Sequence, residues 1–213
     1  MRCDKKDLLL YGVTDRSWLG DRTLAQQVEA SLRGGATMIQ LREKHMDRGS
    51  ILAQALELRE LCGCYGVPLI LNDDAELAQA AGADGVHVGQ SDMEAGRVRA
   101  LLGEDKLIGV SARTVEQALA AQAAGADYLG VGAMFPTGTK QDTRPVSYDT
   151  LKAICAAVDI PVVAIGGIGA GNVAELAGSG IAGVAVVSAL YAQPDVEAAT
   201  RSLRAQVERV VGP

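Results

Sequence analysis

The sequence predicts an α/β chain folded as a single (β/α)8 barrel, and three observations carry that reading. Eight short runs rich in Val, Ile, Leu and Ala alternate with longer amphipathic or Ala-rich stretches. The short runs are apolar throughout, as in a parallel sheet covered on both faces. A junction recurs between them: Gly82-Ala83-Asp84 and Gly125-Ala126-Asp127, with Gly35-Ala36 as a shorter copy and Gly180-Ile181-Ala182 as a weaker one. The main competitor is an open doubly wound sheet. No Gly-x-Gly-x-x-Gly follows the first run, and eight evenly spaced units favour closure.

The elements follow in order. Strands are expected at 8–14, 37–42, 68–72, 85–89, 107–111, 128–133, 161–165 and 183–188. Helices are expected at 24–33, 50–64, 75–81, 94–102, 115–124, 148–158, 172–177 and 196–210. Glycine at each repeated junction permits the left-handed residue that closes a helix. Those junctions introduce strands two, four, six and eight. Val67-Pro68-Leu69-Ile70 and Ile160-Pro161-Val162-Val163 open strands three and seven, where proline loses no needed ladder bond. The units thus alternate in type. No linker or low-complexity run interrupts them, so residues 1–213 read as one domain.

Composition bounds the function. The chain has 213 residues with 20 Lys+Arg against 26 Asp+Glu, a net charge of −6. A non-specific nucleic-acid binder would show the opposite imbalance. Aromatics are only 3% of the chain, so the core is expected to be built from Val, Ile, Leu and Ala. The 25 glycines imply many tight turns or close backbone approaches. Cys3, Cys62, Cys64 and Cys155 match neither a redox nor a zinc spacing and read as reduced thiols. No basic-then-apolar leader and no run of membrane-spanning length is present, which leads us to expect a cytoplasmic protein.

In this fold the site lies at the C-terminal ends of the strands. Polar residues cluster there in strand after strand: Thr14-Asp15, Gln40-Leu41-Arg42-Glu43-Lys44, Asn72-Asp73-Asp74, Gly89-Gln90-Ser91-Asp92, Ser111-Ala112-Arg113-Thr114, Thr137-Gly138-Thr139-Lys140, Gly166-Gly167-Ile168 and Val187-Ser188. Gly166-Gly167-Ile168-Gly169 follows a buried strand and precedes an expected helix, an arrangement that lets phosphate approach backbone N–H groups. Val187-Ser188 supplies the other half of the phosphate site common after strands seven and eight. Arg42, Lys44, Arg113 and Lys140 converge from four loops, which suits an anion larger than one phosphate. Asp73 and Asp92 end neighbouring strands. They read either as a Mg2+ pair, bound mainly through substrate phosphates, or as an acid/base pair. Asp92 and Asp74 are also good helix caps. His45 reads as exposed and His87 as a hydrogen-bonded structural residue inside strand four.

Together these motifs resemble thiamine-phosphate synthase. The likeness runs from Tyr11-Gly12-Val13-Thr14-Asp15 to Val187-Ser188, and Phe135-Pro136-Thr137-Gly138-Thr139-Lys140 is its most diagnostic part. The resemblance implies a Mg2+-dependent (β/α)8 enzyme. Such an enzyme joins 4-amino-5-hydroxymethyl-2-methylpyrimidine diphosphate to hydroxyethylthiazole phosphate and releases pyrophosphate. It implies that Gln40, Leu41, Arg42, Glu43, Lys44, Asn72, Ser111 and Lys140 bind the pyrimidine diphosphate, with Arg42, Ser111 and Lys140 catalytic. It implies further that Asp73 and Asp92 hold Mg2+, and that Thr137, Gly138, Thr139, Gly167, Val187 and Ser188 bind the thiazole phosphate. The expected partners are small phosphorylated molecules, not nucleic acid or membrane, and a homo-oligomer is left open. One position departs: the family has Ser-x-His-Thr after strand five, where this chain has Ser111-Ala112-Arg113-Thr114. An always-charged Arg113 cannot act as a neutral base. The alternatives are a thiazole tautomerase, which needs no diphosphate or Mg2+ site, and a non-catalytic phosphate-binding regulator of the same fold.

Overall fold

The computed structural model describes residues 3–138 and 145–212. Eight parallel strands close a barrel in sequence order, β1 pairing with both β2 and β8. They are β1 Leu10–Val13, β2 Met38–Leu41, β3 Leu69–Asn72, β4 Gly85–Val88, β5 Leu107–Ala112, β6 Tyr128–Gly132, β7 Val162–Ile165 and β8 Gly183–Val186. The helices around them are α1 Leu24–Arg33, α2 Arg48–Tyr65, α3 Ala75–Ala81, α4 Ala95–Leu102, α5 Val115–Ala123, α6 Tyr148–Ala157, α7 Ser188–Tyr191 and α8 Val196–Val211.

Two of the expected elements differ. The seventh helix is a single 3-10 turn, Val173–Leu176, rather than an α-helix over 172–177. Asn172 stands at its cap position, yet its side chain turns back to accept from Gly169 N and donate to Gly167 O, each at 2.9 Å. A short helix, α7, also precedes the last long one. Four residues are too few to show a helical period. The start of the first strand shifts as well: Leu8 ends a 3-10 turn, Lys5–Leu8, and its side chain enters the barrel from below.

Two layers of core result. The outer layer packs Val, Ile, Leu and Ala of the strands against the helices, as the composition requires. The inner layer departs from expectation. It contains Tyr11 and Tyr128, fully buried beside Leu8, Val13, Met38, Ile70, Leu107 and Val163. Their rings meet edge-on with centroids 6.1 Å apart. Space for them comes from glycine: a Cβ at Gly109 would collide with the Tyr128 ring and lie 2.4 Å from His87 Nδ1.

Candidate active site

Strand period two decides which side chains face the barrel interior. On β2 this puts Gln40 inward with Arg42 just beyond it, and Leu41 outward. On β5 it puts Gly109 and Ser111 inward. The inward residues line one pocket at the C-terminal end of the barrel: Gln40, Arg42, Asn72, His87, Ser111 and Arg113 on one side, Gly166, Gly167, Val187 and Ser188 on the other, with Thr137 at its edge. The pocket has a volume of about 170 Å³.

Arg42 is held at both ends. Its N–H donates to Thr14 Oγ1 at 3.0 Å, and its guanidinium lies 3.8 Å from Asp15. Thr14 is itself fully buried and bonded through its own N–H to Gln40 O. The guanidinium is thereby anchored beside the pocket without being fully neutralised. Arg113 donates its N–H to Gln117 Oε1 at 2.8 Å, which ties the loop back to α5 while the side chain lines the pocket.

Opposite, Gly166 and Gly167 have φ of 98° and 65°, and each is sterically required. A Cβ at Gly166 would lie 2.5 Å from Ala133 Cβ, and one at Gly167 would lie 2.5 Å from Pro136 O. The loop is a glycine cradle pinned by Asn172. Its capacity for anions rests on backbone N–H groups, since no α-helix follows it.

Of the other expected residues, the described ones do not line the pocket. Leu41 is buried in the outer core between sheet and helices, so its side chain cannot reach the pocket. Glu43 is bridged to Arg16 at 2.7 Å. Burial pushes its carboxyl up, and the Arg16 guanidinium opposes that rise. Lys44 and Gly138 are exposed and outside the pocket lining. Thr139 and Lys140 lie outside the described residues. His45 is exposed, as the sequence suggests.

Asp73 and Asp92 sit on the loops after β3 and β4, exposed at the pocket end of the barrel. Asp73 has φ 66°, a positive value shared with no other non-glycine among the described residues. Strain of that kind gathers at functional sites. Its carboxylate accepts from Asn72 Nδ2 at 2.6 Å. The Asp92 carboxylate accepts from Gly89 N at 2.7 Å, and Glu94 takes the cap position of α4 instead. Asp74 does cap α3, accepting from Leu77 N at 2.8 Å. An ionised carboxylate has two oxygens and about four lone-pair sites, so a hydrogen bond to one oxygen is compatible with metal ligation. Two hard oxygen donors fit Mg2+ that completes its shell with water and phosphate. Among the described residues no cluster of three or more His, Cys, Asp or Glu forms a closed metal site.

Sequence reasoning missed the pocket floor. Tyr11 and His87 line it, and Tyr128 lies directly beneath. His87 bonds Tyr128 OH through Nδ1 at 3.2 Å and Ser111 Oγ through Nε2 at 3.0 Å. The signal was available: His87, Gly109 and Tyr128 are laterally paired across β4, β5 and β6, on the face that carries Ser111.

Residues 10–190 match the family model described as thiamine monophosphate synthase. A thiamine-phosphate synthase of Chloroflexus aurantiacus is 50% identical over 94% of this chain and 93% of its own length. The enzyme of that name from Ruminiclostridium cellulolyticum is 48% identical over 93% and 95%. A thiamine phosphate pyrophosphorylase from Pyrococcus furiosus superposes with a TM-score of 0.90 at 38% identity, covering 98% of this chain and 99% of that one. The chain belongs to the thiamine monophosphate synthase family.

Proposed function

We propose that this chain is a transferase that joins 4-amino-5-hydroxymethyl-2-methylpyrimidine diphosphate to hydroxyethylthiazole phosphate, releasing pyrophosphate and forming thiamine phosphate. The observation that carries the reading is the union of two half-sites in one pocket. Gln40, Arg42, Asn72 and Ser111 stand on one side, and the Gly166-Gly167 cradle with Val187-Ser188 on the other.

The pyrimidine ring lies over the floor between Gln40 and Ser111, with its diphosphate toward Arg42, Lys44 and Arg113. Lys140 and Thr139 are assigned by their place in the sequence motif alone. The thiazole phosphate lies against Gly167, Val187 and Ser188, with Thr137 and Gly138 beside it. The methylene–oxygen bond of the pyrimidine breaks, and its electron pair leaves with pyrophosphate. The 4-amino group stabilises the methylene cation by electron donation. The thiazole nitrogen then donates its lone pair to the methylene, closing the new C–N bond. Arg42 holds the departing charge in a site where preorganised donors are worth several kcal/mol, and the cradle positions the nucleophile. Mg2+ held by Asp73 and Asp92 supplies Lewis-acid neutralisation of the diphosphate when bound. No general base is required, so Arg113 in place of histidine is compatible with turnover.

The test is an assay with both substrates and Mg2+, following pyrophosphate and thiamine phosphate together. Both products are expected, and only when both substrates are present. Affinity for the thiazole phosphate without product would favour a binding regulator, and isomerisation of a thiazole precursor alone would favour a tautomerase.

A further inference from the structure

Five side chains form one continuous hydrogen-bonded chain beneath the pocket. Gln40 Nε2 donates to Tyr11 OH at 2.7 Å. Tyr11 OH lies 3.0 Å from Tyr128 OH. Tyr128 OH lies 3.2 Å from His87 Nδ1, and His87 Nε2 lies 3.0 Å from Ser111 Oγ. The chain joins β2, β1, β6, β4 and β5, and both of its ends line the pocket. Two glycines make room for it: besides Gly109, a Cβ at Gly130 would stand 2.9 Å from His87 Cε1.

Proton counting gives the chain a direction. A phenol has one hydrogen to donate. The Tyr11 oxygen accepts from Gln40, and its own hydrogen is satisfied within the chain when it is given to Tyr128. The Tyr128 hydrogen goes to His87 Nδ1. His87 therefore carries its proton on Nε2 and donates to Ser111, whose hydroxyl hydrogen is turned away from the ring and into the pocket. At the other end the Gln40 amide uses Nε2 on Tyr11, which leaves Oε1 as the atom it presents. Burial pushes both phenols up, so neither ionises to break the sequence.

We propose that this chain runs in one sense, from Gln40 to Ser111, and sets the pocket as a hydrogen-bond acceptor at Gln40 and a donor at Ser111. That pattern selects a 4-aminopyrimidine over its 4-oxo counterpart. The amino group is a donor and meets Gln40 Oε1; an unprotonated ring nitrogen is an acceptor and meets the Ser111 hydroxyl. In the 4-oxo ring the exocyclic group becomes an acceptor and meets Gln40 Oε1 acceptor to acceptor, and where the nitrogen facing Ser111 is the one that gains the proton, that bond is lost as well. Tyr11, Tyr128 and His87 are positioning residues that hold the two ends in opposite senses. The selectivity half rests on the function proposed above; the direction of the chain does not.

The experiment has two arms. The protein has two histidines, His45 and His87, so imidazole 15N spectra of the whole protein report the tautomer, with His45→Gln removing the other signal. The expected state of His87 is neutral, with Nε2 protonated and Nδ1 bare. A proton on Nδ1, or an imidazolium, overturns the assigned direction. The second arm compares kcat/KM for the 4-amino and 4-oxo pyrimidine diphosphates in the wild type, Tyr128→Phe and Tyr11→Phe, each checked for a native melting transition. The preference for the amino substrate is expected to fall by ~10-fold or more in both variants, at the scale of a buried polar group left unpaired. KM for the thiazole phosphate should not move. An unchanged preference in a folded variant overturns the selectivity role. An Nε2–H tautomer in a wild type that turns over neither pyrimidine supports the chain's direction and contradicts the proposed function with the selectivity drawn from it.

Discussion

Asp127 Oδ2 accepts the backbone N–H of Ile108 at 2.8 Å, reaching from the start of β6 to the neighbouring strand β5. Asp84 does the same at the start of β4, accepting from Leu69 N of β3 at 2.8 Å. Thr37, at the start of β2, accepts from Leu10 N of β1 at 2.9 Å. The repeated junction is thus a strand-pairing clamp. Its third residue satisfies an N–H at or next to the first residue of the preceding strand. Ala182 occupies that place before β8 and lacks a side-chain acceptor, so the fourth copy retains only the turn.

The clamp yields a stability prediction. Asp84→Ala leaves one strand N–H unpaired and is expected to cost about 1–3 kcal/mol. Asp127→Ala also removes the carboxylate 2.6 Å from Arg99, which keeps the carbonyls of Gly103, Lys106 and Gly125. Losing that charge-assisted bond as well as the strand contact makes Asp127→Ala the costlier of the two. Urea unfolding midpoints should fall in that order. Equal, negligible shifts would contradict the clamp.

Gly130→Ala tests the pocket floor from the backbone side. The added Cβ must displace the His87 ring, whose Cε1 would lie 2.9 Å from it. Turnover should drop by ~10-fold or more, at the scale of a misplaced reactant. The expected rise in KM concerns the pyrimidine substrate rather than the thiazole phosphate. Wild-type kinetics would show that the floor tolerates the methyl group.

Arg42→Ala should lower kcat by about 10²-fold, the scale of one lost charge-stabilising donor. Arg42→Lys should restore only part of it, since an ammonium lacks the planar fork. Steady-state kinetics with saturating thiazole phosphate measure both.

Asp92→Asn removes one hard anionic donor and should raise the Mg2+ concentration needed for half-maximal rate, while chelation of Mg2+ should abolish turnover. A Mg2+ titration identical to wild type would return Asp92 to a purely local role on Gly89 N.

The four thiols give a check on the fold alone. Burial pushes Cys62 up to about 12 and Cys155 up to about 11, whereas Cys64 is exposed on α2. Iodoacetamide at mildly alkaline pH should therefore label Cys64 first, with Cys62 protected until unfolding. Equal labelling of the pair would contradict the packing of α2.

The barrel was legible because strand and helix periods differ and eight units leave little room for another closure. Gln40, Arg42, Asn72 and Ser111 were legible because they are polar residues at the ends of apolar strands. Leu41 and Glu43 were not separable from them, since a contiguous motif says nothing about which side chains face inward. His87 was legible as a hydrogen-bonded residue inside its strand, whereas Tyr11 and Tyr128 were hidden for the opposite reason: a polar atom inside an apolar strand reads as core until the lateral pairing aligns it with partners on other strands. The helix expected over 172–177 is only a 3-10 turn, and the Asn172 side chain bonds the glycine loop instead of capping it.

The most direct test of the central claim, that one pocket unites both substrate halves, is a crystal structure with thiamine phosphate, pyrophosphate and Mg2+. The pyrimidine ring is expected between Gln40 and Ser111, and the thiazole phosphate on Gly167, Val187 and Ser188. Pyrophosphate should lie by Arg42, and the metal between Asp73 and Asp92. Thiamine phosphate bound outside this pocket, or bound in it with the two ends exchanged, would contradict the account.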